Sequence, residues 1–190
     1  MDLVLKKNEE KVLPFVWIDG EEIDTRYKLT LEDDSNAHIV GVFFGTGEKT
    51  ATFHTTVVHR GKRTKSLTSL RGVFFDKASF NNEGLIRIEK GATGSDGFFT
   101  SKILLFDDAI GRSIPSLEID ENDLKAGHAS TVGRPDEEQL FYLRSRGLTE
   151  KEAQLLIISG FFEPVLQYFP EKDKKKILKQ IQQKLKKRMT

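Results

Sequence analysis

Cysteine is absent from all 190 residues. Its absence removes disulfides, thiolate nucleophiles and any zinc or iron–sulfur site built on sulfur from this chain alone. Long apolar runs are also missing: segments such as LLII (155–158) fall far short of the roughly 20 residues that span a bilayer, and no basic leader with an apolar core opens the sequence. These absences lead to the expectation of a soluble, cytoplasmic protein. No Ser/His/Asp set or carboxylate pair stands out either, because the acids are scattered through turns and helix starts. Nothing therefore argues for an enzyme.

What is present suits one main domain, since 37% hydrophobic residues in a chain of this length can bury one sizeable core. The net charge of +1 conceals an asymmetry. Residues 171–190 hold nine Lys or Arg against two acids (+7), and the first 170 residues hold 21 against 27 (−6).

Between Tyr27 and Ile119, short runs rich in Val, Ile, Phe and Thr alternate with glycine and polar turns: IVGVFF (39–44), TATFHTTVV (50–58), LRGVFF (70–75), LIRIE (85–89) and FFTSKILLF (98–106). Such runs read as strands. In TATFHTTVV a period of two puts Ala51, Phe53, Thr55 and Val57 on one face. The pattern fits a two-sheet sandwich and a solenoid of stacked turns equally well.

After Gly133 the periodicity becomes helical. RPDEEQLFYLRSRG has Pro135 at a helix start, three acids in the first turn, Arg144 and Arg146 in the last, and Gly147 as the stop. Thr149 and Glu152 then form a T-x-x-E capping box opening EKEAQLLIIS, which Gly160 is expected to close. FFEPVLQYF predicts a third short helix, and residues 171–188 predict a last one with a narrow stripe of Ile177, Leu178, Ile181 and Leu185. So thin a stripe predicts weak packing, or packing on another protein.

Three motifs suggest chemistry and then fail to carry it. GTGEKT (45–50) resembles a phosphate-binding loop, but Glu48 sits between Gly47 and Lys49 and a strand follows instead of a helix, so a simple turn is expected. His54 and His59 lie an odd number of residues apart and so face opposite ways in one strand; with His38 they are expected as partly buried or surface residues, not a metal site. The basic tail has no aromatic residue to stack on bases or enter lipid, and neither nucleic acid nor membrane is expected as a partner.

The stretch PSLEIDENDLKAGHASTVGRPDEEQLFYLRSRGL (115–148) resembles the C-terminal signature of the SufB/SufD family of iron–sulfur cluster assembly proteins, of the form P-x-LEI-x-x-x-D-[VL]-K-C-[SG]-H-x-ATVG followed by D-E-[ED]-Q-LFYL-x-SRG. A weaker likeness runs back through TSLRGVFFDKASFNNEGLIRIEKGA (68–92) to about Tyr27 and forward through GFFEPVL (160–166). The resemblance implies a mainly β fold: a right-handed parallel β-helix over 27–133 with a C-terminal helical subdomain over 134–190. Residues 1–26, with VLPFVWI (12–18), are then expected to cap the solenoid's open end. The chain looks like a short form of SufD, lacking the family's usual long N-terminal region.

The resemblance further implies a scaffold subunit that pairs through its β-helix with a SufB-like subunit or with itself, and carries SufC, an ABC-type ATPase, on its C-terminal helices. Leu140, Phe141, Leu143, Leu155 and Ile158 are expected to hold those helices to the solenoid, leaving Gln139, Tyr142, Arg144, Ser145, Arg146 and Gly147 to meet the partner. His128 falls on the family's histidine, implicated in cluster assembly. The family's frequent cysteine two residues earlier is Ala126 here, the acid that follows the histidine in SufB-type chains is Ala129, and the SufB-type sulfur-handling cysteine falls near Thr100. One imidazole without a thiolate cannot hold a cluster. No cofactor bound stably by this chain alone is expected, only a transient cluster shared with a partner subunit. The alternative is an adaptor or regulatory paralogue that binds the ATPase without taking part in cluster assembly.

Overall fold

In the computed structural model, which describes residues 1–188, the strands alternate between two sheets. One sheet is β1 (Asp2–Leu5), β3 (Ile23–Leu31), β5 (Thr50–His59), β7 (Ser79–Ile88) and β9 (Ile110–Ile119). The other is β2 (Glu10–Ile18), β4 (Asn36–Gly45), β6 (Lys65–Phe74), β8 (Ser95–Leu105) and β10 (Leu124–Gly133). Every pairing is parallel and skips one strand, as Thr50↔Ser79 and then Ser79↔Ile110 illustrate. The chain is therefore a β-solenoid of five turns, which excludes the sandwich alternative.

Residues 1–26 form no separate cap. β1 pairs with β3 and β2 with β4, so this segment is the first turn of the solenoid and the start of β3. VLPFVWI is strand because it alternates: Phe15 reaches inward to Tyr27 and Phe53 (ring centroids 5.0 and 4.9 Å), and Trp17 stacks on Phe74 at 6.2 Å.

The corners turn at residues with positive φ, nearly all of them Asn, Asp or Gly, the types that tolerate it. Asn8, Asp34, Arg63 and Gly94 recur at one corner, and Asp19, Gly47, Asp76 and Asp107 at the other. Each hands a backbone N–H to the next turn or receives one: Asn8 N to Asp33 O (3.0 Å), Asp34 N to Lys62 O (2.9 Å) and Arg63 N to Thr93 O (2.8 Å). GTGEKT is such a corner, with Gly47 at φ +67°, and it opens into β5 as expected.

Between the sheets the inward residues stack in register. Phe43 lies against Phe53 and Phe80 (5.1 and 4.6 Å), and Phe74 against Phe80 (5.1 Å). Ladders of like residues bury large apolar areas at about 25 cal/mol per Å². Gly84 is required by the same stacking: a Cβ there would meet Phe99 Cε2 at 2.1 Å.

The outer faces of the two sheets differ. β5 alternates buried and half-buried residues over Thr50–Val57 and β7 alternates buried residues with half-buried or exposed ones, whereas β4 is buried on both faces from Ile39 onward. The reason is α2 (Glu150–Leu166) and α3 (Glu171–Arg188), which pack Ile158, Phe162, Val165, Leu166, Ile177, Ile181 and Leu185 against Val40, Val42, Phe44, Val73, Phe75 and Phe106. A strand covered on both sides must be continuously apolar, as VGVFF is.

Three helix expectations are corrected here. α2 runs unbroken through Gly160 and carries Pro164 inside it, because the apolar stripe facing the sheet outweighs the propensity cost of about 1 kcal/mol at glycine. α3 packs on its own solenoid and not weakly or elsewhere; its buried stripe is only 2–4% exposed. Of the residues expected to anchor the subdomain, Ile158 is buried and Leu155 partly so. By contrast α1 (Glu137–Ser145) has no buried residue, and Phe141 is 73% exposed. Residues 189 and 190 of the expected helical subdomain lie outside the described residues.

Candidate partner-binding and cluster-assembly site

α1 starts at Asp136, whose side chain accepts from Glu138 N (2.9 Å) and Gln139 N (3.4 Å), and ends where Gly147 turns left-handed at φ +97°. Leu148 N returns to Leu143 O at 3.3 Å. Thr149 then caps α2: its Oγ1 accepts from Glu152 N (3.3 Å), while Thr149 N and Oγ1 each donate to Glu152 Oε2 (2.8 Å) and so hold the Glu152 carboxyl below the usual carboxylate range. Two well-capped helices thus meet at a tight elbow.

Gln139, Tyr142, Arg144, Ser145, Arg146 and Gly147 are all exposed on this elbow. Ser145 Oγ donates to Tyr142 O (2.7 Å), Arg146 lies 5.2 Å from the Tyr142 ring centroid, and Arg144 pairs with Glu150 at 2.9 Å. Tyr142 (55% exposed) adjoins Phe141. Two exposed aromatics beside two arginines have the composition of a protein interface core.

His128 stands elsewhere, on β10. It pairs in register with Phe99, which is buried in the interior, so its imidazole lies on the inward face of the last turn, where no further described turn covers it; it is exposed. Ala126 shares that face. Ala129 pairs with Thr100 and both take the opposite face. His128 and Thr100 therefore lie on opposite faces of adjacent strands.

The other histidines occupy three separate places. His54 sits outside the first sheet between Asp24 (3.5 Å) and Glu83 (3.0 Å). His38, on the outer face of the other sheet, contacts Ser69 (3.1 Å) and the Tyr168 ring (4.1 Å), and burial lowers its pKa. His59 is fully buried between Thr64 Oγ1 (2.7 Å) and Ser66 Oγ (2.8 Å), where desolvation lowers its pKa to about 4. Among the described residues no group of three His, Cys, Asp or Glu could hold a metal ion.

Reading the sequence did not single out the free edges of the last turn. Among the described residues β9 pairs only with β7 and β10 only with β8, and Ile110 (66%), Ile119 (44%) and Val132 (39%) are exposed there. Unpaired edges with apolar side chains invite another chain. Their strands look like the others in sequence; only their place at the end of the stack distinguishes them.

The chain is thus a parallel β-solenoid followed by helices, the first two of which meet at an exposed elbow. Residues 22–161 match the family described as SUF system FeS cluster assembly, SufBD core domain. The chain belongs to that family. It is 38% identical over 170 residues to the iron–sulfur cluster assembly protein SufD of Bacillus subtilis, covering 88% of this chain and 39% of that one. It is also 33% identical over 162 residues to a SufBD family protein of Mycobacterium leprae (81% of this chain, 18% of that one). With a SufBD family protein of Mycobacterium bovis it shares 46% identity over 85 residues (44% and 21%). The chain thus spans about two fifths of the Bacillus protein and about a fifth of the mycobacterial ones. No helix among the described residues is long and apolar enough to cross a membrane.

Proposed function

We propose that this chain serves in cytoplasmic iron–sulfur cluster assembly as a non-catalytic scaffold subunit. It pairs through its β-helix with a SufB-like subunit or a second copy, and docks a SufC-like ABC ATPase on the α1–α2 elbow. The observation that carries the reading is the elbow itself: a helix with no buried residue, capped at both ends and displaying Phe141, Tyr142, Arg144 and Arg146, in a chain of the SufBD core family. A helix that makes no core of its own is stabilised here by caps and presented to a neighbour. The free edges of β9 and β10 supply the pairing surface, and His128 lies beside it on the inward face of β10.

With no cysteine, this chain contributes at most the His128 imidazole to a cluster whose thiolates come from the partner. That same lack favours the second reading, an adaptor that binds the ATPase without cluster work. Co-expression with a SufC-like ATPase, followed by native mass spectrometry, tests docking: a complex containing both chains is expected, and recovery of this chain without the ATPase overturns the reading. Anaerobic reconstitution with a SufB-like subunit separates the two roles. A cluster yield that does not depend on this chain leaves the adaptor.

A further inference from the structure

α3 is two-sided, with its apolar stripe packed against the solenoid. Ile177, Ile181 and Leu185 are buried against the solenoid, with Lys184 pairing to Asp19 (3.3 Å), Lys174 to Glu163 (2.7 Å) and Arg188 to Asp76 (2.9 Å). At 100° per residue, Lys172, Lys175, Lys176, Lys179, Lys186 and Lys187 fall on the opposite side, and all six are exposed. Eighteen residues make this lysine ridge about 27 Å long. Alongside it, between the start of α2 and the end of α3, runs an open groove with Leu155 and Leu185 in its lining and Lys151, Gln182 and Lys186 among the residues around them. The acid there, Glu152, is engaged by the Thr149 cap.

We infer that this groove and ridge form a second docking surface, distinct from the α1 elbow, for an acidic segment of a partner protein carrying an apolar anchor residue. The chemistry selects against the other polyanions. A duplex or a membrane is extended and would meet the acidic body (−6) as well as the tail (+7), whereas a short segment meets the ridge alone. A phosphate backbone gains nothing from a leucine-lined groove, and α3 has no aromatic residue for bases to stack on. Insertion into lipid would need the apolar stripe that the solenoid already covers. An acidic peptide with a Leu or Phe among its carboxylates satisfies both features, in the helix-in-groove manner.

Selection from a randomised peptide library displayed on phage, against the full chain, tests this. Enrichment of peptides with Asp or Glu flanking a large apolar residue is expected. A synthetic copy of the most enriched peptide, followed by fluorescence anisotropy, should bind about tenfold more weakly to Lys175→Glu/Lys179→Glu, as expected for two reversed exposed charges. Binding should also weaken with salt and be lost in Gln182→Trp, which fills the groove. Arg144→Ala/Arg146→Ala should leave it unchanged, so that failure here and failure of the elbow reading are told apart. The inference is overturned by enrichment of non-acidic peptides, by no enrichment, or by binding insensitive to both ridge and groove variants. It is equally overturned if duplex DNA or phosphatidylserine–phosphatidylcholine vesicles bind the ridge more tightly than the peptide, or if the ridge variant abolishes self-association of the chain, since each names another occupant.

Discussion

Arg188, the last residue described in α3, donates from Nε to Asp76 Oδ1 at 2.9 Å and lays its guanidinium 4.5 Å from the centroid of Phe75. It also pairs with Asp107, so one side chain ties the tail to two successive corner aspartates. With the Arg188 side chain 22% exposed and Asp76 37%, solvent screens part of the pair. Arg188→Ala should therefore cost about 1 kcal/mol. The loss should shrink in high salt, and amide exchange should quicken in α3 before any strand. Unchanged protection in α3 would show that the stripe of Ile177, Ile181 and Leu185 holds the helix unaided.

His59 makes stability depend on pH. Its native pKa is about 4 against about 6.5 in the unfolded chain, so the unfolded state binds the proton first. Its contribution is complete above about pH 6.5 and is lost as pH falls towards 4, amounting to roughly 2 kcal/mol at pH 5. The lowered carboxyls of Asp34, Glu121 and Glu152 act in the same direction but at lower pH. Urea midpoints at pH 7 and pH 5 should therefore separate clearly for the native protein. His59→Gln should be less stable at pH 7, with a smaller separation; an equal separation would place the proton uptake elsewhere.

Gly84 and Phe99 share one space in the interior. Gly84→Ala puts a methyl 2.1 Å from the ring, where the stacked turns leave little room to shift, and should cost about 1–3 kcal/mol. Thermal unfolding checks this, and Phe99→Leu in the same chain should recover part of the loss. Additive effects would mean that the strain lies in the backbone.

The alternation in TATFHTTVV was enough to assign its two faces, because period two follows from the pleat alone. The choice between solenoid and sandwich was not legible in the runs, since both stack half-buried strands; it came through the likeness over 115–148. The burial of VGVFF (40–44) and GVFF (72–75) on both faces was written in their unbroken apolarity, and it marks the sheet that the helices cover. Phe141 misled for a different reason: an aromatic on a capped helix carries the same pattern whether it meets its own core or another molecule.

Phe141 and its neighbours should accordingly be silent in stability. At 73% exposure Phe141→Ser should move the urea midpoint by no more than about 0.5 kcal/mol. Under the proposed function it should sharply reduce capture of a SufC-like ATPase, as should Arg144→Ala/Arg146→Ala. Undiminished capture by both variants would remove the elbow as the docking site. A large stability loss in Phe141→Ser would instead show that the helix packs on the chain itself.

His128 separates scaffold from adaptor. It sits on an edge strand with an exposed imidazole, and none of the described hydrogen bonds or ion pairs involves its side chain, so the fold should not need it: His128→Ala should leave thermal unfolding unchanged within the roughly 0.5 kcal/mol typical of surface sites. A ligand or proton carrier at a paired interface acts only when the partner is present. The measurement is therefore cluster yield, by absorbance, on anaerobic reconstitution with the SufB-like subunit and the ATPase, with and without the substitution. A lower yield with assembly intact by native mass assigns the imidazole to cluster work. An equal yield leaves β10 as a pairing edge and the chain as a carrier of the ATPase, because no other residue brought to that face has the chemistry to bind iron.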